Sequence, residues 1–290
     1  ELTVDTDIQF LIREELIKFQ EIFRSVGSGA ILMNVNNGNI LSMISLPDFN
    51  LNKRDNISDV NYINRATKGV YELGSVFKTF TIAAGFHEGL IEPETKFLNL
   101  KKKLKCGKSI IGEYDDKIPQ DLTVEEILIR SGNVGSVRIG QKLEIEKLKS
   151  FLGKIGILDR IDFDIEEVGE PIPFRWGKCK LATASFGHGI TTTALQLVKG
   201  YAIITNGGFD IKPTLIKKNL QKKIENKRII KKGVSEKINQ ILRKVVSTKE
   251  GTAGLANIEG YEVGGKTGTA QKIKNGNYSS AKINTFVAIF

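Results

Sequence analysis

Ser75 and Lys78 stand three residues apart at the head of the run Gly74-Ser75-Val76-Phe77-Lys78, which continues Thr79-Phe80-Thr81-Ile82-Ala83-Ala84-Gly85-Phe86-His87. From Ser75 to Gly89 nearly every position is apolar or small, the pattern of a helix buried on all sides. Lys78 is the one charged side chain inside it, and the spacing puts it one turn above Ser75 on the same face. An ammonium in such surroundings must find a partner or lose its proton more readily, because desolvation disfavours the charged form. An uncharged amine next to a hydroxyl at a helix N-terminus is a base beside a nucleophile. The same residues also read as a Ser75 cap with Lys78 reaching for the surface, and Ser-x-x-Lys alone is a common chance pattern.

Two further segments carry chemistry-bearing residues. Ser131-Gly132-Asn133 interrupts two helical stretches, although Ser, Gly and Asn are ordinary loop residues. Lys266-Thr267-Gly268-Thr269, between Val263-Gly264-Gly265 and Ala270-Gln271, offers an amine, two hydroxyls and exposed strand backbone, a suitable anion or oxyanion site. Read without function, it is a Thr-rich strand with a bulge glycine. Gly260-x-x-x-x-Gly265-Lys266-Thr267 also matches the phosphate-loop pattern letter for letter. That pattern requires a following helix whose N-terminus faces the phosphate. Gly268-Thr269-Ala270-Gln271-Lys272-Ile273 and the turn after it are strand-like, so a nucleotide-binding loop remains the remote alternative.

The elements around these residues follow from periodicity and caps. Residues 6 to 24 predict a helix opened by a Thr6-x-x-Gln9 box, with Ile8, Leu11, Ile12, Leu16, Phe19, Ile22 and Phe23 on one face. Strands at about 30–35 and 40–45 flank Asn36-Asn37-Gly38, a hairpin turn. Residues 47–70 are polar and irregular, and a lysine-rich loop follows Gly89. Boxes at Thr123-x-x-Glu126 and Thr193-x-x-Gln196 open two more helices, and a short one covers Ile145 to Leu152. Residues 153–190 are rich in Gly, Pro and acidic side chains. Ser235 is expected to cap an amphipathic helix, and a last hairpin runs from Gly260 to Phe290 around Asn275-Gly276-Asn277. Strands at both extremities and helices between them predict an α+β fold, with an antiparallel sheet built from the two chain ends and an inserted helical lobe.

With 290 residues, 40% hydrophobic and 26% charged, the composition is that of a globular protein with ample core material. No stretch approaches the roughly 20 apolar residues of a membrane span. The net charge is +10, with lysines clustered at 101–105 and between Lys217 and Lys232. These runs lack interleaved aromatics and any reader motif, and solvated lysine faces are the commoner cause of such runs, so nucleic acid is not an expected partner; an anionic membrane surface or anionic polymer is comparably plausible. Cys106 and Cys179 stand apart without CxxC spacing or histidine neighbours, which indicates no metal site and gives no support for or against pairing.

Taken together in this order, Ser75-x-x-Lys78, Ser131-x-Asn133 and Lys266-Thr267-Gly268 are the signature shared by penicillin-binding proteins and serine β-lactamases. The chain resembles the transpeptidase domain of class B penicillin-binding proteins, of the division-specific FtsI type. The resemblance includes Leu2-Thr3-Val4-Asp5, Tyr71-Glu72-Leu73-Gly74-Ser75, Arg130-Ser131-Gly132-Asn133-Val134-Gly135, Ala184-Ser185-Phe186-Gly187, Leu195-Gln196-Leu197 and Gly264 through Lys272. It implies the penicillin-binding, serine β-lactamase-like fold in a single domain over 1–290, with a sheet lobe at about 1–80 and 206–290 and a helical lobe at about 81–205. It also implies that a final strand, a C-terminal helix, a pedestal domain and an N-terminal membrane anchor lie outside this chain, which would work at the periplasmic face of the inner membrane with division proteins.

The implied reaction is peptidoglycan D,D-transpeptidation without a cofactor or metal. Ser75 would form the acyl-enzyme, neutral Lys78 would take its proton, and Ser131 would relay a proton to the departing D-alanine beside Lys266. Asn133 would bind the substrate's backbone and steady Lys78, while Thr267, Gly268 and Thr269 would form the carboxylate and oxyanion site. Gly187, His188 and Gly189 would lie on the active-site rim, His188 standing where the family more often has Tyr or Gln. Stem peptides would be donor and acceptor, and β-lactams would be trapped on Ser75. The alternatives are a serine β-lactamase, with Glu166, Glu167 or Glu170 activating water, and a penicilloyl-sensing receptor domain.

Overall fold

A computed structural model describes residues 1–50, 52–53, 62–107, 109–217, 226–274 and 277–290. The chain opens with helix α1 (Thr6–Phe23) and an antiparallel hairpin of β1 (Ser28–Met33) and β2 (Ile40–Leu46). The cap of α1 is Asp5 rather than Thr6: its carboxylate accepts from the N–H groups of Asp7 and Ile8. Gln9, predicted to complete a capping box, instead bonds both backbone groups of Met43 on β2. Pairing with a strand has displaced a purely local arrangement. No residue of α1 is buried, and Phe10, Leu11, Phe19, Ile22 and Phe23 are exposed.

A 3-10 turn over Gly74–Val76 leads into α2 (Phe77–His87), which is buried from Phe77 to Phe86 as its all-round apolar pattern predicts. The segment after Gly89, expected to be loop, holds four short strands. β3 (Lys96–Phe97) pairs with β6 (Leu122–Thr123), and β4 (Lys103–Cys106) forms a hairpin with β5 (Ser109–Gly112). Lysines alternate outward along β4 while Leu104 and Cys106 turn inward, and Cys106 is disulfide-bonded to Cys179. Pairing between residues so far apart in sequence is invisible to local pattern.

The two predicted boxes form: Thr123 and Glu126 open α3 (Val124–Ile129), and Thr193 and Gln196 open α6 (Ala194–Thr205). Between them, α4 (Asn133–Lys154) is broken at Glu144, whose φ of 64° and ψ of 171° separate a second helical piece beginning at the expected Ile145. An unpredicted helix, α5 (Lys178–Ala184), lies in the Gly- and Pro-rich stretch. α7 (Lys232–Ser247) begins three residues before its expected cap, and Ser235 is buried inside it, its hydroxyl accepting from the Gly207 N–H.

The core gathers on α2, with Phe80 and Ile82 packed among Ile127 and Leu128 of α3, Ile139 and Leu143 of α4, and Ile241 and Leu242 of α7. Each such fully buried side chain contributes roughly 1.5–3 kcal/mol. α7 also backs β7 (Gly264–Lys274), where the Gly264 Cα lies against the Leu242–Arg243 backbone. β7 pairs antiparallel with β8 (Asn277–Ile289). Among the described residues the hairpins at the two ends of the chain each pair within themselves, where one continuous sheet was expected. Of the turn predicted at 275–277, residues 275 and 276 lie outside the described residues, as do Lys218, Lys222 and Lys223 of the lysine cluster after Lys217.

Candidate active site

The turn that carries Ser75 is set by two glycines, Gly74 against the Thr269 backbone and Gly268 against the Leu73 backbone. Gly74, at φ 64°, approaches Thr269 so closely that a Cβ there would lie 2.4 Å from the Thr269 carbonyl oxygen. A Cβ on Gly268 would lie 2.3 Å from the Leu73 carbonyl. A side chain at either position would push Ser75 and the Lys266 strand apart. Tyr201 of α6 fixes the turn from below, its hydroxyl donating to the Val76 carbonyl at 2.8 Å and accepting from Thr79 at the same distance. Burial raises the Tyr201 pKa, so the phenol stays a neutral donor.

Lys78 and Lys266 are both fully buried, so the reading in which Lys78 reaches the surface does not hold. Their amines meet at one hydroxyl. Lys78 Nζ is 3.1 Å and Lys266 Nζ 2.9 Å from Ser131 Oγ. Lys78 also donates to the Ser131 carbonyl, and Lys266 to the Thr267 carbonyl at 2.9 Å. Ser131 adopts φ 58°, a left-handed conformation uncommon for serine, which turns its carbonyl and hydroxyl toward Lys78. Burial first, and then the nearby Lys266 charge, push the Lys78 pKa well below its ordinary value, against the opposing pull of Glu113. Burial alone brings Lys266 down to about 7. Two amines sharing one dry site hold their second proton weakly, so a neutral amine is at hand near neutral pH.

Ser75, Ser131, Asn133, Thr267, Gly268, Thr269, Gly187 and His188 all line one cleft of about 480 Å³, joined by Tyr114, Phe186, Thr252 and Lys282. Lys78 and Lys266 do not line it themselves but reach it through the Ser131 hydroxyl, which both amines bond, and Gly189 follows His188 on the same loop. Among the described residues the Ser75 hydroxyl has no hydrogen-bond partner, since Lys78 is turned to Ser131; catalytic hydrogen bonds often tighten only when substrate is bound. Asn133 does not steady Lys78 as expected: its side-chain amide donates to the Gly112 carbonyl at 2.8 Å. The Thr267 hydroxyl bonds Thr252 at 2.9 Å, and Thr269 donates to Asn284 at 3.1 Å.

Three contributors were missed in the sequence. Glu113 caps α4, its carboxylate accepting from the N–H groups of Asn133 at 2.6 Å and Val134 at 2.9 Å. Glu72, nearly buried, accepts from Tyr278 and lies 3.7 Å from His188 Nδ1. Thr252 is the third. Glu113 and Thr252 belong to no local motif, and Glu72 stands in the Tyr71–Ser75 segment without a role that the segment itself reveals. The candidate water-activating acids Glu166, Glu167 and Glu170 do not line the cleft, and Glu167 accepts from the Asn64 N–H. Lys266 and Thr267 lie within β7, with strand following them, so the phosphate-loop reading lacks its helix.

The three signature segments, Ser75-x-x-Lys78, Ser131-x-Asn133 and Lys266-Thr267-Gly268, thus meet at one cleft, the combination shared by penicillin-binding proteins and serine β-lactamases. The chain belongs to the penicillin-binding protein transpeptidase domain family, whose model matches residues 28–290. It is 30% identical to the probable peptidoglycan D,D-transpeptidase FtsI of Caulobacter vibrioides, covering 100% of this chain and 50% of that protein. With stage V sporulation protein D of Bacillus subtilis the identity is 32%, covering 96% of this chain and 45% of the relative. The chain thus spans about half the length of these curated relatives. The transpeptidase domain of Burkholderia pseudomallei penicillin-binding protein 3 shares its fold, with a TM-score of 0.89 at 24% identity over 100% of this chain and 83% of that one.

Proposed function

We propose that this chain is the catalytic domain of a peptidoglycan D,D-transpeptidase of the division-specific type, acting on stem peptides and acylated by β-lactams. The observation that carries the reading is the Ser131 hydroxyl held between two buried amines in the cleft that Ser75 lines. Neutral Lys78 takes the Ser75 proton as Oγ attacks the carbonyl joining two terminal D-alanines. The C–N bond breaks, and the proton passes through Ser131 to the departing amine, leaving an ester on Ser75. The backbone N–H groups of Ser75 and Thr269 face the developing oxyanion, and Thr267 and Thr269 hold the substrate carboxylate. Lys266 keeps the site electropositive, and Asn133 presents its carbonyl oxygen to the substrate backbone. The acyl group then passes to an amine on a second stem peptide. In the full-length protein this domain would face the periplasm from the inner membrane, beside other division proteins.

The test is labelling with a fluorescent penicillin followed by mass mapping of the adduct. Wild type should carry one long-lived adduct on Ser75 and Ser75→Ala none. Retained labelling in the variant removes Ser75 from the mechanism. Rapid hydrolysis of the adduct indicates a β-lactamase, and a stable adduct without any transfer activity a sensor.

A further inference from the structure

The Ser75–Lys78–Ser131 relay handles one proton in each direction, yet the second half-reaction brings an additional one. In acylation the Ser75 proton travels to the departing amine. In transfer the same path, reversed, carries one N–H proton of the acceptor back to Ser75 Oγ. An alkyl amine, however, arrives near neutral pH as an ammonium, with one proton more than a nucleophile can keep. Lys78 must stay neutral to carry the returning N–H proton, so the extra one needs an acceptor outside the Ser75–Lys78–Ser131 path.

We propose that His188, backed by Glu72, is the group that receives the acceptor ammonium and takes its excess proton. This rests on the acyl-transfer reading given above. The imidazole lines the same cleft as Ser75. Its loop is pressed against the nucleophile turn: a Cβ on Gly187 would lie 2.0 Å from the Gly74 carbonyl oxygen. The ring is clamped between aromatic faces, with Tyr278 at 4.6 Å and Phe186 at 5.9 Å between centroids. On one side its Nδ1 faces the Glu72 carboxylate at 3.7 Å. The carboxylate favours the proton on Nδ1 and leaves Nε2 as the basic nitrogen. Glu72 is itself held by the Tyr278 hydroxyl at 3.2 and 3.3 Å.

The surrounding charges suit the task. Glu72 from the loop before Ser75 stabilises an imidazolium, Lys180 of α5 opposes it, and Tyr278 of β8 stays a neutral donor with its pKa raised to about 12 by burial and Glu72. Lys282 of β8 also lines the cleft. Burial, ahead of these charges, pushes the His188 pKa down, so the free ring is neutral at neutral pH and open to a proton. The step balances: the ammonium gives one proton to Nε2, the resulting amine attacks the ester, its N–H proton returns through Ser131 and Lys78 to Ser75, and the imidazolium releases its proton to solvent.

The experiment follows acyl transfer from an N-acyl-D-alanyl thioester to two acceptors, D-alanine and hydroxylamine, with penicillin acylation measured alongside. D-alanine must lose a proton before attack, whereas hydroxylamine is already an uncharged nucleophile at neutral pH. In His188→Gln, penicillin acylation and transfer to hydroxylamine should persist, while transfer to D-alanine falls by about a hundredfold or more and recovers as pH rises. Glu72→Gln, which keeps the shape of the side chain, should show the same split more weakly. Unchanged transfer to D-alanine overturns the proposal, and so does an equal fall with both acceptors, which would make His188 a wall of the cleft only. A wild type that penicillin fails to acylate would instead remove the acyl-transfer reading itself.

Discussion

Replacing Glu113 separates its structural role from its electrostatic one. Its carboxylate accepts two backbone N–H groups at the first turn of α4, those of Asn133 and Val134. Hydrogen bonds to a charged group contribute roughly 1.5–3 kcal/mol each, and the helix N-terminus favours a negative charge by a further few tenths to about 1 kcal/mol. Glu113 is partly solvated, so water recovers part of this when it is removed. Glu113→Ala should therefore destabilise the domain by about 3 kcal/mol in urea unfolding, and Glu113→Gln, which keeps one acceptor oxygen, by about half of that. The kinetic effect of Glu113→Gln has the opposite flavour. The Glu113 charge favours the Lys78 ammonium, so its removal leaves Lys78 neutral at lower pH. Acylation by penicillin requires the neutral amine, and its acid limb should move toward lower pH in Glu113→Gln. The assay is the second-order acylation rate measured across pH for wild type and variant. An acid limb that stays in place, or moves to higher pH, refutes the reasoning even if the stability loss is as expected.

Lys266 gives the stability a pH dependence of definite sign. Its folded pKa of about 7 lies below the ordinary lysine value of about 10.4. Between those values the unfolded chain holds a proton that the folded one has lost, so this group's contribution rises with pH and is lost as pH falls through about 7. Relative to Lys266→Met, wild type should gain about 1.4 kcal/mol per pH unit across that window in denaturant unfolding; a constant difference would mean that the buried amine does not titrate there. The Cys106–Cys179 bond closes a sequence separation of 73 residues. Chain-entropy reasoning gives about 4 kcal/mol for such a link, so the double Cys→Ser variant should unfold at clearly lower urea than the oxidised protein, and equal midpoints would contradict it.

Much of the site was legible because its residues belong to local patterns. Ser75 and Lys78 share one helix face, Ser131 and Asn133 a break between helices, and Lys266 to Thr269 a strand. The Thr123 and Thr193 boxes declared their helices because both partners lie within four residues. What escaped depends on contacts distant in sequence. Asp5 rather than Thr6 caps α1 because β2 captures Gln9. Ser235 serves Gly207 on another element instead of its own helix terminus. α5 has neither a side-chain cap nor the length to show periodicity, and two cysteines 73 residues apart carry no sign of pairing. Glu113 and Glu72 are ordinary surface residue types in sequence, and only the fold brings them to Asn133 and His188.

The central claim is that an uncharged Lys78 amine activates Ser75, and the direct measurement is the rate of covalent acylation of Lys78→Ala by penicillin, with folding checked by unfolding of the same sample. General-base assistance is worth 10²–10⁴-fold, so the variant should remain folded and acylate slower than wild type by at least about a hundredfold. A folded Lys78→Ala protein that acylates at close to the wild-type rate would contradict the account.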